Sequence, residues 1–438
     1  MGKRGPMTEN DTFAFDPEGN AASALGFSAV GVHAGFRADP ERLDMALVVA
    51  DEPCAAAATF TTNVFCAAPV RVSREHLDEG GAGSPAYGCA RAVVVNSGIA
   101  NAATGEIGLE NARKTAELVG EAVGCPADEV LVASTGVIGQ HLRLEPFAEG
   151  VPAALAAMAK VADDLVGRTS QGLTAARAIM TTDTCPKHGS VSFSGDGIGY
   201  PGVTFTVGGM CKGAGMIMPN MATMIAVITT DAPLAAPDLS QALTAAVSKS
   251  FNKVTVDSDT STNDTCFALA SGAAAPDGPA FTPGTPAFDA FQRALDQLAT
   301  TLARKMAADG EGATRLITVT VRGAATADDA DAAARTVANS PLVKTAVYGH
   351  DANWGRVAAA LGRSGARFNQ EDVDIDILGL PVCRAGLVVD FDEEEALRRF
   401  EEPEVAIEVD LHAGEESATM WTCDFSHEYV TINGDYRS

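Results

Sequence analysis

Short runs of β-branched and small apolar residues alternate with amphipathic segments through the first half of the chain, and this alternation restricts the fold more than any other feature. Arg91–Gly98 (RAVVVNSG) reads as a buried strand. Behind it, Ile107, Leu109, Ala112, Ala116, Val119 and Val123 recur at helical spacing, and Gly124 supplies a left-handed stop. Glu129–Gly136 (EVLVASTG) reads as the next strand, and an alanine-rich helix is predicted over roughly 144–165. Strand, helix, strand, helix is the signature of the α/β class.

Farther along, VTFTVGGM at 203–210 and MIAVITTDA at 224–232 are predicted strands flanking a glycine-rich connection, and DLSQALTAAVSKSF at 238–251 is a predicted helix. The Pro/Gly-rich segment 274–286 reads as a linker before a helix at 286–308, which puts a subdomain boundary near 280. The last third carries RLITVTVRG, DVDIDILG, AGLVVDF, EVAIEVDL and ATMWTCDFSHEYVTING, most with the period-two alternation of half-buried strands.

Charge narrows the function. A net charge of −26 without a lysine/arginine cluster argues against nucleic-acid binding, because a phosphate backbone needs a basic surface. The acidic run Asp392–Glu395 reads as a solvated helix start. The nine cysteines show no CxxC spacing, a pattern of reduced thiols in a cytoplasm. The first twenty residues have a basic start but no apolar stretch behind it, so neither a signal peptide nor a membrane span is expected there.

Signatures of common catalytic machinery are missing: there is no G-x-S-x-G elbow, H-E-x-x-H, Walker loop or G-x-G-x-x-G, and the histidines lack metal-ligand spacing. No metal site is expected. The distinctive segment is Lys212-Gly-Ala-Gly-Met-Ile-Met-Pro-Asn-Met-Ala222-Thr223-Met, in which glycines permit close backbone approach and Pro219-Asn220 signals a turn just before a strand. A threonine hydroxyl is a weak nucleophile unless a base removes its proton. A cut that made Thr223 the first residue would supply that base, because a free α-amine has a pKa near about 8. The bland alternative is a glycine loop leading into a buried strand threonine. Ala133-Ser134-Thr135-Gly136 ends a predicted strand, where a hydroxyl and an N–H could serve as oxyanion donors, although the same residues also suit a plain turn.

At the Lys212–Met224 segment the sequence resembles the ornithine acetyltransferase family, the glutamate N-acetyltransferases of arginine biosynthesis. The resemblance spans nearly the whole chain. It runs in order through Phe60-Thr-Thr-Asn63 with Ala67-Ala-Pro-Val70, Asn96-Ser-Gly-Ile-Ala-Asn101-Ala, Ser134-Thr-Gly136, Met180-Thr-Thr-Asp-Thr184, Ser261-Thr-Asn-Asp-Thr265, Asn339-Ser-Pro-Leu-Val-Lys-Thr345, Asp351-Ala-Asn-Trp-Gly-Arg356 and Asn433-Gly-Asp-Tyr-Arg-Ser438. Ala352 departs from it, standing where the family often has proline, and the residues before about 22 match no family block.

The resemblance implies a fold of two stacked α/β layers. It also implies a precursor that cleaves itself between Ala222 and Thr223 into chains 1–222 and 223–438, which remain together in an α2β2 heterotetramer. On the same grounds Thr223 is the nucleophile, and Thr135 with Gly136 forms the oxyanion hole. Thr181 or Thr182, Lys212, Glu311, Asn433 and Ser438, with Thr223, contact substrate. Lys212 suits an α-carboxylate, Glu311 a cationic amine and Asn433 an amide or carboxylate. The implied reaction is ping-pong: acetyl passes from N2-acetylornithine to Thr223 and then to glutamate. No cofactor is required, and acetyl-CoA is left open as a second donor. Two rivals stand beside this reading: a related self-processing aminopeptidase or amidase, and an uncleaved binding protein for a small acidic amino acid.

Overall fold

The computed structural model describes residues 13–78, 86–160, 165–218 and 224–436. Among the described residues the first layer is a nine-stranded sheet. Its strands are β1 (Phe13–Asp16), β2 (Phe27–Val32), β3 (Met45–Phe60), β4 (Ala86–Ile99), β5 (Val130–Val137), β6 (Lys187–Ser194), β7 (Thr204–Lys212), β8 (Ile225–Thr230) and β9 (Thr265–Ala270). They lie in the order β1-β6-β7-β8-β9-β3-β4-β5, with β2 paired to β3. The pairs β8–β9 and β4–β5 are parallel, and the others are antiparallel.

Alternation along these strands feeds two cores. Ala226 and Ile228 of β8, with Cys266 and Ala268 of β9, face one side, while Ile225, Val227, Phe267 and Leu269 face the other. Apolar residues at every position are what a sheet covered on both faces requires. Helices α1 (Ala68–His76), α2 (Gly105–Val123), α3 (Glu145–Met158), α4 (Leu165–Ala178), α5 (Ala236–Lys249) and α6 (Pro286–Ala308) cover it. Helix α6 begins on a Thr285 cap that accepts Phe288 N–H, and its buried stripe from Phe288 through Leu295, Leu298 and Leu302 to Met306 joins the core over β6 to β8.

The second sheet has the order β13-β12-β11-β14-β10-β15, built from β10 (Leu316–Ala324), β11 (Asp374–Ile377), β12 (Leu380–Arg384), β13 (Leu387–Val388), β14 (Glu404–Asp410) and β15 (Glu416–Cys423). Ile317, Val319, Val321 and Met420 point into a core shared with α7 (Ala327–Ala338), α8 (Pro341–Tyr348) and α9 (Trp354–Gly362). Helix α10 (Glu393–Arg399) adds Ala396 to that core, and α11 (His427–Asp435) follows β15. On the opposite face, Leu316, Trp421 and Cys423 enter the α6 core, so α6 lies between the two sheets and the mixed α/β layers stack through it.

Four sequence expectations shift. The boundary near 280 is not a boundary, because Phe281 is buried, its N–H donates to Pro233 O at 2.7 Å, and α6 packs on the first sheet. The passage between layers is the turn at 309–315. The helix expected over 144–165 spans Glu145–Met158. The terminal run through Ile432 is a strand only to Cys423. Ser426 then accepts Glu428 N–H and starts α11, so a capping signal outweighs the alternation. In AGLVVDF only the exposed pair Leu387–Val388 is strand.

The predicted division at 222/223 falls in the connection between β7 and β8, which pair from Val207↔Thr230 to Lys212↔Ile225. Residues on both sides of that connection therefore share one sheet. Residues 219–223 themselves, with Ala222 and Thr223, lie outside the described residues, as does Ser438.

Candidate active site

Segments distant in sequence meet at a cleft of about 220 Å³, whose walls include Thr135, Gly136, Thr181, Thr182, Lys212, Gly215, Glu311 and Asn433. Ser261, Thr262, Asn263 and Tyr436 also reach it.

Thr135 and Gly136, the residues expected as oxyanion donors, stand near the end of β5. Gly136 lies opposite Gly98 of β4, with φ of 133° and 110° respectively. A Cβ on Gly136 would lie 2.3 Å from the Gly98 carbonyl carbon, so only glycine lets the two backbones close at this point. Asn263, just ahead of β9, fixes the same corner by donating to Ala100 O at 2.6 Å and Ser134 O at 2.8 Å. Ser134 Oγ donates to Asn96 Oδ1 at 2.6 Å, and Arg37 Nε reaches Ser97 Oγ at 3.3 Å.

Lys212 ends β7 and is 2 % exposed. Burial pulls its ammonium below the ordinary lysine range. Asp183 acts against that, Lys187 adds to it, and Asp264 and Glu311 pull upward. For Asp183 the order reverses: burial would raise the carboxyl, yet Lys212 and Lys187 hold it well below the usual carboxylate range. Asp264 is fully buried and its carboxyl is raised well above that range by burial. Its Oδ1 accepts Met224 N–H at 3.0 Å, which anchors the first described residue of the chain leading into β8.

Glu311 sits in the turn between layers, where its N–H donates to Ala214 O at 2.8 Å. Its carboxylate lies against Gly215, where a Cβ would come within 2.4 Å, and Oε2 accepts Asn433 Nδ2–H at 2.8 Å. Helix α11 thus delivers Asn433 to the cleft, and burial raises the Tyr436 phenol that follows it. Thr181 and Thr182 both line the cleft. Every substrate residue expected from the sequence, other than Thr223 and Ser438, is therefore at one site.

The sequence reading did not single out Asp183, Lys187, Asp309, Asn263 or Tyr436. Four of them carry a signal available in principle. Asp183, Asn263 and Tyr436 fall inside the quoted blocks, and Lys187 is a charge that opens an otherwise uncharged strand.

A buried lysine, a carboxylate and a strand-end Thr-Gly pair that share one cleft of a two-layer α/β body suit an acyl-transferring enzyme. The ArgJ family model matches residues 28–438, and the chain belongs to that family. It is 47 % identical over 421 residues to the arginine biosynthesis bifunctional protein ArgJ of Symbiobacterium thermophilum, covering 96 % of this chain and 99 % of the relative. The ArgJ protein of Chlorobaculum tepidum is 45 % identical over 413 residues, with 94 % and 96 % covered. Among solved structures, the ornithine acetyltransferase of Mycobacterium tuberculosis complexed with ornithine shares 37 % identity. That match covers 48 % of this chain and 98 % of the other, with a TM-score of 0.39. Among the described residues no helix is long and apolar enough to cross a membrane.

Proposed function

We propose that the chain is a glutamate N-acetyltransferase that moves acetyl from N2-acetylornithine to glutamate in arginine biosynthesis, through an acetyl ester on Thr223. The observation that carries this reading is the cleft itself, which brings Thr135, Gly136, Lys212 and Glu311 together at the end of the sheet where β8 begins. Family membership supports the same activity.

The reaction starts with self-cleavage: the Thr223 hydroxyl attacks the Ala222 carbonyl, and water resolves the resulting ester to leave a free α-amine. β7 and β8 flank that bond and pair with each other, which supports products 1–222 and 223–438 that stay together. In catalysis the α-amine takes the hydroxyl proton as Thr223 attacks the acetyl carbonyl, and Thr135 and Gly136 stabilise the oxyanion. The proton passes to the leaving α-nitrogen, and ornithine departs. Glutamate then attacks the ester and regenerates the enzyme. Lys212 takes the α-carboxylate in both half-reactions, and Glu311 with Asn433 takes the ornithine δ-ammonium. One amide replaces another, so no energy source or cofactor is needed.

An α2β2 assembly in the cytoplasm belongs to the same proposal. So does acetyl-CoA as a second donor, a use suggested by relatives designated bifunctional. The test is product partition with N2-acetylornithine and glutamate supplied together. N-acetylglutamate should dominate, and free acetate as the main product would favour a hydrolase instead.

A further inference from the structure

Three donors converge on one buried carboxylate beside the cleft. Lys187 Nζ donates to Asp183 Oδ1 at 2.6 Å, Gly213 N–H donates to the same oxygen at 2.7 Å, and Thr181 N–H donates to Oδ2 at 3.0 Å. Both side chains of the Asp183–Lys187 pair are 0 % exposed. Lys187 also donates to Asp309, which accepts from the Thr184 hydroxyl and, at 3.1 Å, from Thr184 N–H. Asp183 is therefore bonded to the backbone of two of the segments that wall the cleft, one through Thr181 and the other through the residue after Lys212.

Lys212 differs from Lys187. It is nearly as deep, but where Lys187 donates to two carboxylates, burial outweighs the charges around Lys212 and pulls its ammonium below the ordinary lysine range. A buried ammonium without a counter-charge gives up its proton. The charged groups with the largest effect on Lys212 are Asp183, Lys187, Asp264 and Glu311, and the Cys211 thiol beside it interacts with it as well. Of these, Asp183 acts most strongly. Asp264 is the one that burial pushes toward its neutral form, and Glu311 already accepts from Asn433.

We propose that Asp183 is a positioning residue for acetyl transfer: its carboxylate is the fixed counter-charge of Lys212 and the shared acceptor that sets the spacing of the Thr181 and Lys212 walls. Lys187, itself held by Asp309, neutralises and orients Asp183 from behind, leaving the Lys212 donors open for the carboxylate of an incoming N-acetyl amino acid. The inference rests on the reading of Lys212 as the carboxylate-binding lysine.

The experiment follows kcat/KM for N-acetylglutamate as acetyl donor to ornithine, as a function of pH. In a ping-pong reaction this quantity reports acylation alone, and the donor's carboxyls ionise far below the range of interest. The alkaline limb then reports loss of the Lys212 proton. Asp183→Asn should raise KM more than it lowers kcat and move that limb down by about 1–3 pH units, because an attractive charge is gone. Lys187→Gln removes a like charge and should move the limb up. Shifts in opposite directions support the proposal, and a limb unmoved in either folded variant overturns it. If Asp183→Asn does not fold, the Lys187→Gln limb decides alone. Lys212→Gln separates the two ideas. If it leaves KM unchanged, the carboxylate-binding role fails. If it raises KM while the other two variants keep the wild-type limb, only the role of Asp183 fails.

Discussion

Replacing Gly136 by alanine tests whether the strand-end pair is catalytic. The added Cβ would lie 2.3 Å from Gly98 C, 2.5 Å from Gly98 O and 2.6 Å from Ile99 N, all backbone atoms of the paired strand. Ordinary contact begins near 3.4 Å, so β4 and β5 must part by about 1 Å at the oxyanion site. The φ of 133° adds strain of about 1–3 kcal/mol for any residue with a side chain. Overpacking adds about 1–3 kcal/mol. Stability should therefore fall by about 2–6 kcal/mol, measured by urea unfolding. Misplacing a reacting group by about 1 Å lowers rate about 10²-fold, and loss of one oxyanion donor lowers it about 10²- to 10³-fold. Single-turnover release of ornithine from N2-acetylornithine should slow by at least the smaller factor. Gly139→Ala is the control: its φ is 83°, with nothing within 4 Å of the added Cβ. It should lose about 1–2 kcal/mol and keep its rate. A Gly136→Ala enzyme with wild-type kcat, or a Gly139→Ala enzyme equally slow, would refute the reasoning.

Gly215→Ala would push the Glu311 carboxylate off Asn433, so KM for N2-acetylornithine should rise about tenfold or more with a smaller change in kcat, read from initial rates. Asn263→Ala leaves Ala100 O and Ser134 O short of a donor and should cost about 2–4 kcal/mol in urea unfolding while slowing acylation. Asp231 accepts N–H bonds from Thr206 at 2.7 Å and Leu25 at 3.0 Å, yet burial pushes its carboxyl up to about 6. Between about pH 4 and 6 the folded chain then keeps a proton that the unfolded chain has released. This group's contribution to stability must therefore fall as pH rises through that window, by about 3 kcal/mol in all. Urea unfolding of wild type against Asp231→Asn should show that relative loss above pH 6, and parallel pH curves would contradict it.

The elements legible in the sequence were those whose pattern matches their burial. β4, α2 and β5 follow from uninterrupted β-branched runs around a helical stripe that ends at Gly124, whose φ is 81°. The segment 274–286 misled because its prolines and glycines mark a surface excursion of the first layer rather than a domain edge. Helix α11 has no buried residue at all, so no apolar stripe could announce it. At the site, single residues with a clear chemical task, such as Lys212 and Glu311, were readable through their blocks. The supporting ion group was not: Lys187 and Asp309 are 122 positions apart, and no local spacing predicts such a pair. Asn263 falls inside a quoted block, but its bracing role was hidden for the same reason, since its two acceptors lie 129 and 163 residues away.

The central claim is that Thr223, freed by cleavage after Ala222, carries the acetyl group. Mass measurement of the purified protein before and after incubation with N2-acetylornithine, without glutamate, tests both halves at once. The account predicts two fragments with the masses of 1–222 and 223–438, and one added acetyl group on the second that glutamate removes. A single uncut chain that still transfers acetyl, or an acetyl group on any residue other than Thr223, would contradict it.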